Sequence, residues 1–325
     1  MKFENPNSTR TNPFNDVYDN TEFRTILKHK DTLPKFPYLC DVELTNYCNL
    51  KCIFCGQQGM TRDSGFMSEE VFKKVVDECS QYNTPIRLIG FGEPFLHPKI
   101  IDFCKYVKSK GLPLHITTNG LLIKEHDMKA LIDTEVDSII FSFQGATKEQ
   151  YEIMRQNNQY AKLEANILTL IRLRGDSPKP FIHISSTMTD ESQKEIDNFV
   201  NYWIRIVDTV GTGKTNLSQL SAHQITSFEA IGKLEVLKKQ EMINKYYRPC
   251  TEVYQKLKID WDGKVACCCG DFDNLLTVGD ITVSSLADIW NNSKELTIFR
   301  ELLDKGLHRC LTLCSTCYPA YEEFQ

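Results

Sequence analysis

No run of eighteen consecutive apolar residues occurs anywhere in the 325-residue chain, so a membrane-spanning helix is not expected. The opening MKFENPNSTRTNPFND is polar, rich in turn formers and without the apolar stretch of a secretory signal, and the expected location is cytoplasmic. Lysine and arginine form no block, and a net charge of −5 with a pI near 5.9 lacks the electrostatic footprint of nucleic-acid binding. Low-complexity tracts are missing as well. Hydrophobic residues at 41% against 25% charged are the proportions of a globular protein with a sizeable core, folded throughout except at the start.

Cysteine is what the chain has in excess. Thirteen are present in a sequence without a secretion signal, where a reducing cytosol keeps thiols from pairing as structural disulfides. Three lie between Cys48 and Cys55 and seven between Cys250 and Cys317, a clustering that favours metal. Both groups contain the spacing Cys-x3-Cys-x2-Cys, as CNLKCIFC from Cys48 and CLTLCSTC from Cys310. Either one site occurs twice, or two different sites share a spacing.

From Pro37 short apolar runs alternate with helical patterns, the sign of repeated βα units around a mostly parallel sheet. The candidate strands are PYLCDVELT, PIRLIGF, LPLHITT, VDSIIFSF, PFIHISST and IRIVDTV, and amphipathic stretches such as SEEVFKKVVDECSQ, PKIIDFCKYVKSKG and ESQKEIDNFVNYW lie between them. Right-handed crossovers wind such a sheet one way, giving an α/β fold, either an open partial barrel or a doubly wound sheet. After the helix-like FEAIGKLEVLKKQEMINKYY the pattern changes. YQKLKIDWDGKVACCC alternates about Asp262-Gly263, a hairpin signal, and SLADIWNNSKELTIFRELLDKG reads as a helix with a break at Asn291-Asn292. The expected organisation is an extension over 1–37, a βα region over 38–225, a linker helix over 226–246 and a small second domain over 247–325.

Cys48, Cys52 and Cys55 follow the first strand, at the end where βα folds build their sites. Three thiolates can hold three corners of a [4Fe–4S] cube and leave one iron open; a zinc half-site completed by a distant partner stays open on spacing alone. The stretch VELTNYCNLKCIFCG resembles the cluster motif of the radical S-adenosylmethionine (SAM) superfamily, and GFGEP, ITTNG and FSFQG follow the next three strands in the order of that family's landmarks. The resemblance implies a partial (βα)6 barrel of TIM type, in agreement with the six units counted. It implies that Cys48, Cys52 and Cys55 bind a cluster, that Gly92, Glu93 and Pro94 hold the amino group of SAM, and that Phe54, Thr118, Asn119 and Ser142 belong to the same site. Gln144 stands where many relatives have Asp, and its amide can still hydrogen-bond a hydroxyl. Arg155 matches an arginine that pairs the cofactor carboxylate; a solvated helix arginine is the alternative. Glu93 also has an alternative, as a helix N-terminal acid.

DTVGTGKTNL, after the sixth strand, invites a P-loop reading, but that motif needs Gly five positions before its Gly-Lys and position 208 is Asp. Its glycines are expected instead to let the backbone approach an adenosyl group. The second cysteine group has too little chain after it for another SAM site. It resembles the SPASM/twitch extension of some radical SAM enzymes: Cys250, Gly263 and Cys268 fit Cys-x(9–15)-Gly-x4-Cys, and Cys314 and Cys317 the returning Cys-x2-Cys. That resemblance implies one auxiliary [4Fe–4S] cluster on these four thiolates; four-thiolate zinc uses the same residues. Cys267, Cys269 and Cys310 are left over, the first two because neighbours in a strand point to opposite faces, and Cys40, Cys79 and Cys104 are expected in the core.

The resemblance implies cleavage of SAM to a 5′-deoxyadenosyl radical and hydrogen abstraction, with electrons from a flavodoxin- or ferredoxin-type donor. An auxiliary cluster that accepts an electron favours oxidation of a sugar or aminocyclitol alcohol, similar to 2-deoxy-scyllo-inosamine dehydrogenase. The alternative is a maturase of ribosomal peptides, whose N-terminal recognition domain would need more than the 37 residues before the barrel. An electron carrier would not need the Gly-Glu-Pro, Thr-Asn-Gly and Ser landmarks. No catalytic proton acceptor can be named.

Overall fold

The computed structural model describes residues 1–19, 33–215, 245–247, 250–317 and 321–323. Nearly all of the linker helix expected over 226–246 lies outside these residues. Strand β1 (Lys2–Glu4) and helix α1 (Phe14–Asp19) precede the βα units. The units follow as β2 (Leu39–Val42), α2 (Glu69–Gln81), β3 (Ile86–Leu88), α3 (Ile100–Ser109), β4 (Leu114–Thr118), α4 (Glu125–Asp133), β5 (Ser138–Gln144), α5 (Lys148–Arg155), α6 (Tyr160–Arg174), β6 (Phe181–Met188), α7 (Gln193–Trp203) and β7 (Thr209–Lys214). Strands β2 to β7 are parallel and lie side by side in chain order, the partial TIM-type barrel expected from six units.

Caps explain where the helices start. Ser68 accepts the Val71 N–H at 3.1 Å ahead of α2, and Ser192 forms a capping box with Glu195 ahead of α7. The sixth strand lies later than IRIVDTV suggests. Helix α7 carries on into a closing turn, with Ile204 and Val207 donating to Val200 and Trp203, so those apolar residues seal the helix. Pairing with β6 then begins at Thr209, opposite His183. Gly211 and Lys214 are consequently inside a paired strand, opposite Ser185 and Met188, which removes the loop geometry a P-loop requires.

The register sorts the two faces of the sheet. Cys40, Val42, Ile86, Leu88, Leu114, Ile116, Ile139, Phe141, Ile182, Ile184 and Val210 face the helices and form the core with Phe72, Val75 and Val76 of α2. Each such large side chain contributes about 1.5–3 kcal/mol on burial. The alternate residues turn inward; most are polar, among them Asp41, Arg87, His115, Thr117, Ser138, Ser142, His183, Ser185 and Thr187, with Ile140 and Phe181 as apolar members of that face. Phe14 of α1 packs edge-on against His115 at 5.3 Å between ring centres. A polar inner face is costly for a packed core and suited to a ligand.

The sheet does not stop at the barrel. Helix α8 (Glu252–Gln255) leads into β9 (Lys256–Ile259), which pairs in parallel with β2, and β10 (Lys264–Ala266) and β11 (Thr277–Asp280) extend it antiparallel. At the edge beyond β7, β1 pairs antiparallel, completing ten strands. Gly263, in the hairpin between β9 and β10, has φ +90, the conformation the Asp-Gly signal predicts. The expected helix break falls at Ser293, which ends α9 (Leu286–Asn292) and caps α10 (Lys294–Asp304) through the Leu296 N–H. Strands β8 (Lys245–Tyr247) and β12 (Tyr321–Glu323) form a separate pair. Among the described residues no helix is long and apolar enough to cross a membrane.

Candidate cofactor and cluster sites

Beyond β2 the chain turns into a loop held by its own amides. Asn46 accepts the Gly65 N–H at 3.0 Å and donates to the Asp63 carbonyl at 2.8 Å, while Gln57 and Gln58 donate to the carbonyls of Asn46 and Lys51 at 2.8 and 2.6 Å. These bonds pin Cys48, Cys52 and Cys55. Burial pushes the Cys48 and Cys55 thiols up to about 11 and about 12, and each also feels the Cys52 sulfur as a like charge. Two donors reach toward the sulfurs, Arg155 Nη1 at 3.7 Å from Cys52 and Asn119 Nδ2 at 4.0 Å from Cys48. Three gathered thiols met by N–H donors fit a group that keeps them as thiolates, as iron–sulfur ligation does.

The strand-end motifs close on one another. Glu93 is buried and accepts from Thr118 Oγ1 at 2.7 Å, the Asn119 N–H at 2.8 Å and the Phe95 N–H at 3.1 Å. Burial raises its carboxyl all the same, the three donors opposing. It therefore caps a short turn at Pro94–Leu96 and ties the loops after β3 and β4 together. A Cβ on Gly92 would lie 2.0 Å from the Thr45 carbonyl oxygen, so only glycine allows this approach. Asn49, which spacing did not single out, accepts from Asn119 Nδ2 at 2.8 Å.

Arg155, at the end of α5, is buried rather than solvated. Its Nη2 donates to the Ser142 carbonyl at 2.7 Å, and its guanidinium lies 5.4 Å from the Phe54 ring centre and 5.9 Å from that of Tyr151. Tyr151, also missed in the sequence, lies one turn before Arg155 on α5, an i,i+4 spacing that was the signal for it. Gln144 is fully buried, with its amide engaged by Thr187 at 2.6 Å, Thr215 at 2.7 Å and Thr189 at 3.3 Å. Gly211 and Gly213 differ in surroundings: a Cβ on Gly211 would meet the His183 ring at 3.0 Å, whereas one on Gly213 would meet nothing within 4 Å.

The second cysteine group is assembled from α8, the turn after β10 and the C-terminal turns. Cys250 and Cys314 are both pushed up to about 12 by burial first; the Glu252 carboxylate and then Cys317 add to it at Cys250, and Cys250 and Cys317 at Cys314. The Cys268 thiol is raised as well, the Cys269 hydrogen bond opposing and burial, Glu252, Cys267 and Cys250 raising it. Strand β10 ends at Ala266 after a register shift, and one more backbone bond, from the Cys267 N–H to the Leu276 carbonyl at 3.4 Å, precedes the turn that carries Cys268 and Cys269; the expectation that strand alternation separates the three is corrected, because the strand ends before them. Cys267 is buried, within electrostatic range of Cys250 and Cys314. Cys269 hydrogen-bonds the Cys268 sulfur and also lies 3.3 Å from a Glu252 carboxylate oxygen and 3.7 Å from Lys256 Nζ, and Cys310 is exposed. Cys40, Cys79 and Cys104 are buried in the core. Among the described residues no three His, Cys, Asp or Glu side chains close in as the shell of one metal ion; a cube gives each thiolate its own iron.

Comparison with known proteins agrees with this geometry. The Radical SAM superfamily profile matches residues 42–202, and that of the SPASM iron–sulfur cluster-binding domain matches residues 250–318. The chain is 26% identical, in an alignment that covers 86% of it and 87% of the relative, to the tungsten-containing aldehyde ferredoxin oxidoreductase cofactor-modifying protein of Pyrococcus furiosus. Its fold is similar to that of SuiB of Streptococcus suis bound to precursor peptide SuiA, with TM-score 0.66, 15% identity and coverage of 92% of this chain and 74% of that one. It is also similar in fold to BtrN in complex with AdoMet and 2-DOIA, with TM-score 0.55, 16% identity and coverage of 86% and 92%. SAM, a SAM-binding [4Fe–4S] cluster and auxiliary iron–sulfur ligation follow from the two domains. Ordered strand-end motifs, gathered thiols and both profiles agree, and the chain belongs to the radical SAM superfamily, with a SPASM domain at its C-terminal end.

Proposed function

We propose that the protein is a radical SAM oxidoreductase that removes a hydrogen atom from an alcohol carbon of a sugar or aminocyclitol, the resulting radical losing its hydroxyl proton and passing one electron to an auxiliary [4Fe–4S] cluster to leave the carbonyl. The observation that carries the substrate side is the inner face of the barrel. Its charges are paired, Asp41 with Arg87 at 2.6 and 2.7 Å. Its imidazoles are neutral, burial holding His115 down to about 3 and His183 to about 4. What remains is uncharged, the half-buried hydroxyls of Thr117, Ser142, Ser185 and Thr187 together with the apolar Ile140 and Phe181. Such a face suits a hydroxylated small molecule, whereas an ionised peptide side chain would be left there without a partner. The full-length relative, named as a cofactor-modifying protein, is in keeping with a small substrate.

In this reading Cys48, Cys52 and Cys55 hold the first cluster, and Gly92, Glu93, Pro94, Thr118 and Asn119 frame the methionine end of SAM. Arg155, backed by Phe54, faces its carboxylate, and Ser142 and Gln144 lie toward the ribose. Cys250, Cys268, Cys314 and Cys317 hold one auxiliary cube. Cluster and SAM together supply the 5′-deoxyadenosyl radical when bound; the chain aims it and excludes water. The donor is of flavodoxin or ferredoxin type and the setting cytoplasmic.

Anaerobically reconstituted protein should hold about eight irons, for two cubes. Cys52→Ala should abolish SAM cleavage, while Cys268→Ala should cleave SAM without forming oxidised product; full product from Cys268→Ala removes the electron-acceptor role. Alcohols deuterated at the carbinol carbon should pass deuterium into 5′-deoxyadenosine, read by mass spectrometry. Transfer from a peptide and from no alcohol in the panel would establish the maturase reading instead.

A further inference from the structure

Arg300, on α10, is held in an unusual way for a half-buried cation. Its Nε donates to the Val253 carbonyl at 2.9 Å, and its guanidinium lies over Trp290 and Tyr254, 4.5 and 5.4 Å from the ring centres. Aromatic faces hold a cation without neutralising it. Nη2 is closed off from solvent and has no hydrogen-bond partner among the described residues. The acidic groups that act on the guanidinium are the Tyr254 hydroxyl, the Cys267 sulfur and the Asp304 carboxyl, and Cys267, next to Cys268, in turn feels Cys250 and Cys314. Asp304, one turn along α10, acts more weakly than Tyr254 and Cys267. Val253 joins the two groups directly. Its carbonyl takes the Arg300 bond, while its own N–H and that of Glu252 point to the Cys250 sulfur.

We propose that Arg300 is the built-in cation of the auxiliary site and that its charge makes the iron–sulfur centre there easier to reduce. The inference rests on the reading that the second cysteine group carries a cluster. Net charge and hydrogen bonding around the sulfurs are among the factors that set such potentials. Reduction adds a negative charge, and a fixed positive charge in a low-dielectric setting favours the reduced form. An electron acceptor needs that bias. The unpartnered Nη2 fits the same role, since an anionic centre provides the acceptor that no described side chain does.

The test is a redox titration of the full, reconstituted chain followed by electron paramagnetic resonance, comparing wild type with Arg300→Gln and Arg300→Lys. Arg300→Gln should move the midpoint of the auxiliary signal to more negative potential and leave the SAM-binding cluster where it was, and Arg300→Lys should restore most of the shift. An unmoved auxiliary midpoint in Arg300→Gln overturns the proposal, as does an equal shift in Arg300→Lys, which would trace the effect to packing. Arg300→Met, whose stem can stay packed on Trp290, replaces Arg300→Gln if that variant does not load iron, with the same expectation. Wild type that holds about four irons and shows no second signal defeats the underlying cluster reading instead.

Discussion

The Glu93 carboxylate has three donors on two oxygens, from Thr118, Asn119 and Phe95. An amide in its place would set an N–H2 against at least one of them. Leaving a buried donor unsatisfied costs about 1–3 kcal/mol, so Glu93→Gln should lower the melting temperature by several degrees, at roughly 2–4 °C per kcal/mol for a chain of this order of size. Calorimetry on the cluster-free chain checks this, and an unchanged melt would mean that the three bonds contribute nothing net. Much of this site was legible in the residues themselves. Glycine at 92 signals a close backbone approach, and the Gly-Glu-Pro and Thr-Asn-Gly motifs are local in sequence. Asn49 was not legible, because it acts through one contact to a residue far along the chain, Asn119; Tyr151 sits four residues before Arg155 on one helix, a spacing that could have pointed to it.

Element by element, the six strands and the caps on α2 and α7 follow from period and punctuation, whereas the ends of β7 and β10 depend on partners. The turn after β10 also makes a connection that no local pattern could show. Asp271 accepts the N–H groups of Asp273, Leu275 and Leu276, shaping residues 271–276. Asp273 then takes the Thr61 hydroxyl at 2.7 Å and the N–H groups of Thr61 and Arg62 at 2.6 and 2.9 Å. Phe272 packs at 2.9 Å from where a Cβ of Gly56 would be, directly after Cys55. The turn that carries one cysteine group thus latches the loop that carries the other. Asp273→Asn should weaken charge-assisted bonds worth about 1.5–3 kcal/mol, and amide exchange at Thr61 and Arg62 should rise about ten- to a hundredfold, at tenfold per 1.4 kcal/mol. Partial burial raises the Asp273 carboxyl, but the Thr61 hydroxyl and the two backbone donors outweigh it and hold it below the ordinary 3.8. A lowered carboxylate stabilises fully above its unfolded value and loses that contribution as pH falls through the folded one. The latch should therefore loosen in wild type only below about pH 4. Exchange that is the same in Asp273→Asn and wild type at neutral pH would show that the loop is held by Phe272 alone.

Over the whole molecule, composition separates a βα region from a cysteine-rich one, but hydrogen bonding runs across that division. Strand β9 pairs with β2 from Leu39 to Val42, and a buried group of four charges is shared between the two parts. Arg62 holds Glu43 at 2.6 Å and lies 3.4 Å from Asp260, which Lys258 meets at 2.5 Å. Burial pushes the Asp260 carboxyl up to about 7, and Lys258 and Arg62 oppose the rise. Lys256 adds a contact to Asp41 at 3.8 Å. Residues 1–225 produced alone would keep Glu43 and Arg62 but lose Asp260 and Lys258, and breaking up a buried charge group costs about 3–5 kcal/mol. They would also expose β2 as an unpaired edge, a template for association. This segment should accumulate as aggregate, and the full chain should unfold in a single transition. Helix content by circular dichroism reports mostly the barrel, while two of the three tryptophans, Trp261 and Trp290, report the second part. Coincident curves from the two probes are the mark of one cooperative unit. A soluble, monomeric 1–225 segment, or curves separated along the denaturant axis, would show that the shared sheet and the shared charges do not bind the two parts into one folding unit.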